Sequence, residues 1–191
     1  MEILKGLVLR NRSFRRFYQE KSLKIGTLRE LVDLARLSPS ASNLQPLKYI
    51  LSCESEKNAK IFPHLAWAGY FKDWKGPAEG ERPAAYIIIL GDTKISKDFG
   101  CDHGIAAQSI LLGAVEKGLG GCIVGSVDKE DLRQALQIDS RYEILLVIAL
   151  GKAREKVKIE NLKAKDDIKY WRDEAGVHHV PKRALDEIIL G

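Results

Sequence analysis

The chain contains little cysteine, and its cysteines show no pairing pattern. Its 191 residues include only Cys53, Cys101 and Cys122, without a CxxC spacing, and an odd number cannot all pair within one chain. This argues against a disulfide scaffold. We therefore expect reduced, buried thiols, as is typical of a cytoplasmic protein.

Long apolar runs and clustered charges of one sign are also missing. No stretch reaches the roughly 20 apolar residues of a membrane helix, and the N-terminus MEILKGLVLRNR lacks a signal-peptide core. Lysine and arginine exceed the acids by 31 to 26, but they form no basic stripe interleaved with aromatics. We expect neither a membrane nor a nucleic acid as partner.

Strand-like runs and helical periodicities alternate along the chain. LKYILSC, AYIIILGD and YEILLVIALGK predict strands, GGCIVGSV predicts a short strand or turn, and helical spacing marks residues 2–11 and 103–117. Hydrophobic residues make up 45% of the composition, enough for one domain with its own core. The alternation predicts a single three-layer domain of the α/β or α+β class over residues 1–191.

Capping signals predict where further helices begin and end. Thr27 and Glu30 form a capping box before an apolar face, and Pro39 stops that helix. Asp128 predicts the start of the helix DKEDLRQAL. A short, proline-interrupted helix is expected from about residue 60 to residue 70.

The segment 152–191 differs from the rest of the chain. It is polar for about 25 residues and then ends in the apolar stretch VPKRALDEIIL. Such a terminus usually docks on another surface, and a partner subunit is one candidate.

A polar loop, SPSASNLQPLKY at residues 38–49, precedes the first predicted strand. It places four hydrogen-bonding side chains between two prolines, namely Ser40, Ser42, Asn43 and Gln45. Unpaired amides are costly when buried. The cluster therefore faces either water or a ligand with many donors and acceptors.

A second cluster, NRSFRRFY at residues 11–18, surrounds Ser13 with arginines. The planar guanidinium groups of Arg12, Arg15 and Arg16 match phosphate oxygens, and the serine hydroxyl adds a donor. The alternative is a solvated helix end, where arginines also favour the C-terminal dipole.

A third cluster, GLGGCIVGS at residues 118–126, is rich in glycine. Its backbone can approach another group closely and offer N–H donors. It is not a dinucleotide fingerprint, because the GxGxxG spacing is absent. The alternative is structural, with Gly118 ending a helix and Gly120 and Gly121 forming a tight turn.

No pair of residues predicts nucleophilic or metal chemistry. Cys101-Asp102-His103 is contiguous, His178-His179 lacks a matching ligand spacing, and neither G-x-S-x-G nor a P-loop occurs. Phosphate donors, a polar amide cluster and an open glycine backbone remain. Together they favour a protein that holds a phosphorylated cofactor, which itself carries the chemistry.

Four motifs in order carry a family resemblance: R-S-x-R, SPSASNLQP before a strand, GLGGCIVGSV and a late PKR. Over nearly its whole length the sequence resembles the FMN-dependent nitroreductase family. The resemblance implies an α+β fold, a three-layer α/β/α sandwich with a mixed, largely antiparallel central sheet. It also implies an intertwined homodimer with FMN at the interface, in which residues 152–191 embrace the partner.

The resemblance implies residues for both ends of FMN. The phosphate and ribityl chain would be contacted by Arg12, Ser13, Arg15, Lys182 and Arg183. The isoalloxazine ring would be bordered, from the other subunit, by Pro39, Ser40, Asn43 and Gln45. The backbone N–H of Gly125 would lie near flavin N5, with Ser126 adjacent, and would steady the reduced ring.

Some positions depart from the family pattern. Asn11 stands where many members carry a basic residue, which leaves more of the phosphate contact to Arg12. Leu47 and Ile123 stand where aromatic residues are common in the family.

Residues 64–83 occupy the place where the family varies its substrate cover. An aromatic lid over a planar acceptor is expected from Trp67, Tyr70, Phe71 and Trp74. Their i, i+3, i+4, i+7 spacing equally fits one apolar stripe of a helix, and both interpretations stay open.

The resemblance implies a cytoplasmic, homodimeric, FMN-dependent oxidoreductase without a metal. NADH or NADPH would reduce the flavin at N5 and leave, and a planar small molecule such as a nitroaromatic or quinone would follow in a ping-pong scheme. One alternative is specialised flavin chemistry, such as dehalogenation or flavin breakdown. Another is a non-catalytic flavin-binding module.

Overall fold

The computed structural model of the protein describes residues 2–162 and 167–190. The helices are α1 (Glu2–Arg10), α2 (Ile25–Arg36), α3 (Ser55–Ile61), α4 (Asp102–Glu116) and α5 (Lys129–Leu136). The strands are β1 (Leu47–Ser52), β2 (Ala85–Asp92), β3 (Gly120–Val124), β4 (Tyr142–Gly151), β5 (Val157–Asn161), β6 (Trp171–Arg172) and β7 (His178–Lys182). Short 3₁₀ turns cover Ala41–Asn43, Phe62–His64 and Leu185–Glu187.

The strands form two sheets. The central sheet has the order β1-β2-β4-β3, and all its described pairs are antiparallel. This confirms the expectation of a largely antiparallel central sheet, and an isolated parallel bridge between Ser13 and Gly121 adds to its β3 edge. Mixed pairing occurs in the C-terminal sheet β5-β7-β6, where β5 runs parallel to β7 and β6 antiparallel to it.

Helices cover both faces of the central sheet, which confirms the three-layer prediction. All eight residues of β2 are buried, as its continuous apolar run predicted. Because side chains alternate across a strand, Ile87 and Ile89 pack toward α2 and α4, whereas Tyr86 and Ile88 pack toward α3 and α5. At Gly113 of α4, an added Cβ would lie 2.3 Å from a Leu34 methyl group, so glycine allows α2 to pack closely.

The helix ends agree with the sequence signals in part. Asp128 caps α5, and its carboxylate accepts the N–H of Asp131 at 3.2 Å. The capping box at Thr27 is wrong, because α2 begins at Ile25 with no side-chain cap. Glu30 instead forms an ion pair with Lys117, just beyond the C-terminus of α4. This tertiary contact replaces the local one.

The helix expected from residue 60 to residue 70 is also wrong. Helix α3 begins earlier, at Ser55, and a 3₁₀ turn containing Pro63 follows it directly. Because proline lacks an N–H group, the α-helical ladder does not continue through this turn. Residues 65–80 form no helix.

The C-terminal segment makes contacts within its own chain. Residues 163–166 and 191 of this segment lie outside the described ranges. Its sheet lies near the residues that follow α1, and its last apolar side chains are exposed, namely Leu185, Ile188, Ile189 and Leu190. The predicted embrace of a partner subunit stays a prediction.

The three cysteines are free, but only one is buried. Cys122 lies in β3 at 3% exposure, Cys53 is half-buried and Cys101 is exposed. The expectation of buried thiols is thus wrong for Cys101, because it directly precedes α4 at the surface. Among the described helices none has the length and apolar character needed to cross a bilayer.

Candidate functional site

The residues after α1 form an extended arm, residues 11–17, along the edge of the central sheet. Ser13 forms a parallel bridge with Gly121 of β3, and the Phe14 N–H donates to the Gly121 carbonyl at 3.0 Å. A Cβ at Gly121 would lie 2.5 Å from a Leu111 methyl group, so only glycine fits this position. Phe17 is fully buried at the end of the arm. The arm is therefore fixed by backbone pairing and by one buried aromatic ring.

A cavity of about 310 Å³ opens between the arm, α4, β3 and the C-terminal sheet. It brings together most of the residues predicted to hold a phosphate, and its lining includes Arg12, Ser13, Arg15, Gly121, Tyr170 and Lys182. Among the described residues, no carboxylate lines this arginine cavity. Arg183 does not join it, because its exposed side chain pairs with Glu187 at 3.5 Å.

Arg12 is the most constrained cation of this cavity. Its Nη2 donates to the Val8 carbonyl at 2.8 Å near the end of α1, which is the helix-end role considered as an alternative. Its Nε is buried without a hydrogen-bond partner among the described residues. Burial lowers the pKa of Arg12 because the charged form loses hydration. An oxyanion in the cavity would accept a hydrogen bond from this Nε. It would also stabilise the positive charge of Arg12, which burial disfavours.

Glu155 holds the arginine arm in place. Its carboxylate is 3% exposed and accepts the N–H groups of Arg15 and, at 3.2 Å, Arg16. Its other oxygen accepts from Arg172 Nη2 at 3.0 Å. A buried charge is tolerated only when it is paired and hydrogen-bonded, and three donors meet that requirement. Nothing in the polar run KAREKVK marked this acid.

Tyr170 links the arm to the C-terminal segment. The Arg15 guanidinium carbon lies 5.1 Å from the centroid of the Tyr170 ring, within cation–π range. Because Tyr170 also lines the arginine cavity, this contact orients Arg15 at the cavity wall. No motif included Tyr170, since its relation to Arg15 arises only on folding.

Three of the four predicted lid aromatics gather beside this cavity. The Tyr70 and Phe71 rings lie 4.8 and 5.2 Å from the Tyr170 ring, and Phe71 also packs edge-on to Trp74. Arg172 lies over both Phe71 and Trp74, at 5.1 and 5.3 Å. Their role as a substrate cover stays a prediction, and they belong to one cluster with the C-terminal sheet.

Trp67 does not belong to that cluster. It is 7% exposed and packs against Phe62, with ring centroids 6.0 Å apart, in the core on the α3 and α5 side. The lid assignment is therefore corrected for Trp67, because its ring is enclosed by core residues. The helical-stripe alternative is also wrong, since this stretch forms no helix.

His178 is buried beside the arginine cavity. It is 1% exposed and lies between Phe71 and Tyr170, with ring centroids 5.6 and 5.1 Å away. Burial, followed by the charges of Arg15 and Arg172, lowers the pKa of His178 to about 4. The imidazole is thus neutral near pH 7 and adds no charge to the site. The sequence suggests no role for the His178-His179 pair other than metal binding, for which no matching ligand spacing occurs.

The polar loop, residues 38–46, is held by Asp102. The Ser40 hydroxyl donates to Asp102 Oδ2 at 2.6 Å, and the Ala41 N–H donates to Oδ1 at 2.9 Å. The same hydroxyl accepts the Gln45 N–H at 2.9 Å. Asp102 is 5% exposed in the first turn of α4. The Ser40 side chain is therefore engaged in holding the loop.

Three residues of this loop adopt left-handed backbone conformations. The φ angles of Ser42, Asn43 and Gln45 are 50°, 54° and 51°. Such angles cost about 1–3 kcal/mol for residues other than glycine, with asparagine the most tolerant. Gln45 Nε2 donates to the carbonyl and side-chain oxygens of Asn43, at 3.1 and 3.2 Å. The amides are thus partly paired within the loop, but both side chains are exposed.

The polar loop and the arginine arm line different cavities of the chain. Pro39, Ser40 and Gln45 border a cavity of about 210 Å³ with Tyr49 and Asp102. None of these residues lines the arginine cavity. If the polar loop contacts a cofactor held by another subunit, the loop and the arginine arm of one chain belong to two different sites. Their separation within one chain is consistent with that expectation.

The glycine cluster is divided between a helix end and a strand. Gly118 has a φ of 70° directly after α4, as the structural interpretation predicted. Gly120 and Gly121 lie in β3 and do not form a turn. Gly125 and Ser126 follow β3 and are exposed, outside the two cavities above. A Cβ at Gly125 would meet only a Leu146 methyl group at 3.8 Å, so its backbone is open to approach.

A protein-family model matches most of the chain and identifies its family. The sequence model of the Nitroreductase family matches residues 8–152, from α1 to the residue after β4. This chain belongs to the nitroreductase family. The resemblance inferred from the motifs is thereby confirmed.

Relatives within the nitroreductase family agree in sequence and fold. A Bacillus subtilis protein named as a candidate NAD(P)H nitroreductase, YodC, is 28% identical over 156 residues, covering 66% of this chain and 77% of its own. The fold matches a nitroreductase family protein from Streptococcus pneumoniae with a TM-score of 0.70 and 20% identity, covering 98% and 99% of the two chains. A candidate nitroreductase from Exiguobacterium sibiricum, in complex with FMN, matches with a TM-score of 0.67 and 18% identity, covering 79% and 88%.

The depressed pKa of His178 predicts a loss of stability in mild acid. Between pH 6.5 and about 4, the unfolded chain binds a proton here that the folded protein does not. The free energy of unfolding therefore falls as the pH is lowered through this window, by on the order of 1–2 kcal/mol from about pH 7 to about pH 5. Urea denaturation at both pH values measures this loss.

The variant His178→Gln removes this titrating group, and its stability should fall less over the same pH range. His64→Gln is the matched control, because it removes a half-buried histidine outside the cluster. An equal acid sensitivity of wild type and His178→Gln would contradict the assignment.

Proposed function

We propose that the protein is an FMN-dependent oxidoreductase that transfers two electrons from NADH or NADPH to a planar acceptor, such as a nitroaromatic or a quinone, in ping-pong order. The arginine cavity carries this proposal, because the described part of the chain lines it with several cationic side chains and with no carboxylate. The FMN complex of the Exiguobacterium sibiricum protein and the name of the Bacillus subtilis relative support it.

The residues of the cavity fit a phosphate group. The buried Nε of Arg12 lacks a partner among the described residues, and the Ser13 hydroxyl and Lys182 ammonium add donors on two sides. Arg15 reaches the cavity from an arm whose backbone is fixed by Glu155. Charge-assisted hydrogen bonds of this kind are the strongest that a protein offers to a phosphate.

The ring end would be completed by the polar loop of a second subunit. Pro39, Asn43 and Gln45 would border the ring, whereas the Ser40 hydroxyl holds the loop through Asp102. Gly125, with Ser126, would offer its backbone from the first subunit. The left-handed backbone of the loop fixes its amides before a ligand arrives, which lowers the entropic cost of binding.

When bound, FMN would supply reversible two-electron chemistry at N5. The protein would bind and orient the reactants. Tyr70, Phe71 and Trp74 would flank a planar acceptor. Cation–π contacts with Arg172 would hold the Phe71 and Trp74 rings in place. Since His178 is neutral near pH 7, its imidazole adds no positive charge to that of the arginine and lysine side chains of the cavity.

Anaerobic mixing tests this function directly. The purified protein, saturated with FMN, should lose its yellow absorbance with NADH or NADPH and regain it with menadione or a nitrobenzene. Bleaching without recovery by either acceptor favours specialised flavin chemistry. A bound flavin that no nicotinamide bleaches favours a non-catalytic binding module. A colourless protein that refuses FMN contradicts all of these functions.

The change Arg15→Ala should weaken FMN binding by about 1.5–3 kcal/mol, or roughly 10- to 150-fold in Kd, because a charge-assisted contact to the phosphate is lost. Fluorescence titration of the apoprotein with FMN measures the effect. Arg29→Ala is the matched control, since Arg29 is an exposed arginine of α2 outside the cavity. Equal flavin affinity in the two variants would argue against the phosphate assignment.

We propose that the functional unit is a homodimer. Two groups of exposed apolar side chains support this: Ile3, Leu4, Val8 and Leu9 on α1, and Leu185, Ile188, Ile189 and Leu190 near the C-terminus. Helix α1 has no buried residue within its own chain. Such exposed apolar groups are typical of surfaces that are covered by a partner.

Removal of residues 185–191 should therefore yield a monomer. This truncation leaves β7 and Lys182 intact, so the phosphate end of the cavity is retained. Sedimentation equilibrium should return about twice the chain mass of 21.4 kDa for the full chain and a single chain mass for the truncated one. A truncated protein that sediments as a dimer, or a full chain that sediments as a monomer, would contradict the proposal.

A further inference from the structure

A second cavity of about 310 Å³ lies on the other side of the central sheet from the α2–α4 layer. It is formed where β1 ends and α3 begins, and by residues 82–84 before β2. Its lining includes Gln19, Ser22, Ser55, Phe62, Arg82 and Tyr86. Nothing in the proposed FMN chemistry uses this Arg82 cavity.

Of the described residues that line this cavity, Arg82 is the one cation, and none is a carboxylate. Its Nε is buried without a hydrogen-bond partner among residues 2–162 and 167–190. Its guanidinium makes no ion pair within those ranges. A buried N–H group without an acceptor is unfavourable, and a bound anion would supply that acceptor.

Comparison with the other arginines supports this interpretation. Among the described arginines, four have a buried Nε that makes no hydrogen bond, namely Arg12, Arg16, Arg82 and Arg172. Arg16 forms an ion pair with Glu81, and Arg172 forms one with Glu155. Arg12 and Arg82 form none within the described ranges, and each lines a cavity of about 310 Å³. Arg12 and Arg82 thus share two features, a buried Nε without a hydrogen bond and a place on a cavity wall.

The orientation of Arg82 is fixed from two directions. Its guanidinium carbon lies 4.3 Å from the centroid of the Phe62 ring, close enough for a cation–π contact. Its backbone N–H donates to Gln19 Oε1 at 3.2 Å, and the Gly80 N–H donates to the same oxygen at 2.8 Å. The Gln19 amide oxygen is therefore engaged, which leaves its NH₂ group as a donor for the cavity.

Further donors line the wall. The hydroxyls of Ser22 and Ser55 make no hydrogen bond within the described parts of the chain, whereas Asn58 is engaged at both ends of its amide with Ser52 and Ala84. Burial raises the pKa of Tyr86, so its phenol stays protonated. The cavity thus offers one cation and several neutral donors, which is the donor set of an oxyanion site.

We propose that the Arg82 cavity binds a small oxyanion, a carboxylate or phosphate group, at a site separate from the arginine cavity. Arg82 supplies the charge and a planar pair of donors, and the Gln19 amide and the serine hydroxyls complete the site. The proposal does not depend on flavin binding.

Nitrogen-15 NMR of the full-length protein tests the proposal. The Arg82 Nε–Hε resonance is assigned by its absence in Arg82→Lys and is then followed while sodium phosphate or sodium acetate is added. A saturable shift is expected with at least one of the two anions. A shift with phosphate alone assigns a phosphoryl ligand, and a shift with acetate assigns a carboxylate.

Three variants separate the alternatives. Arg82→Gln should weaken calorimetric anion binding at this site roughly tenfold or more, and Arg29→Gln should not. Arg15→Gln alters the proposed FMN site and should leave the shift of Arg82 intact. An Arg82 resonance that neither anion moves overturns the proposal. A response lost in Arg15→Gln also overturns it, because the anion would then act from the arginine cavity.

Discussion

A buried carboxylate, Glu155, is the interaction on which the arrangement of the site depends. It receives the Arg15 and Arg16 N–H groups and the Arg172 guanidinium, so one negative charge joins the N-terminal arm to the C-terminal sheet. Without it, Arg172 would be a cation enclosed by aromatic rings with no counter-charge, which is far more costly than an exposed one. The arm in turn brings its cations to the cavity wall. The local order of the arginine cavity therefore depends on a buried charge that does not itself line the cavity.

The layers of the fold were predictable, because they depend on periodicity within short segments. The run of Ala85–Asp92 is short, rich in isoleucine and without a polar face, which favours a strand covered on both sides. The cap at Asp128 was equally predictable, since a side chain three residues from its partner acts locally. Thr27 also matches a capping motif, but it does not cap a helix, because α2 already begins two residues earlier, at Ile25. The sequence signals failed where a tertiary contact or an early helix start replaced the local preference.

The site divides along the same line. Arg12, Ser13 and Arg15 are adjacent in sequence, so their convergence could be predicted, and a family motif placed Lys182 with them. Asp102, Glu155 and Tyr170 could not be predicted, since each matters through a residue at least 60 positions away. Trp67 shows the opposite error. It shares the spacing of the other aromatics, but it packs in the core behind them.

The charges around the arginine cavity leave a guanidinium without a counter-charge among the described residues. Glu155 offsets Arg172, and His178 stays neutral in its aromatic surroundings, so the positive charge of Arg15 is not cancelled. A protonated imidazole at this position would repel both arginines, and a second carboxylate would neutralise Arg15. In the Arg82 cavity no described carboxylate takes the part of Glu155. There the guanidinium packs on the Phe62 ring instead. Neither wall carries an acid among the described residues, and an arginine without a paired acid is suited to bind an anion.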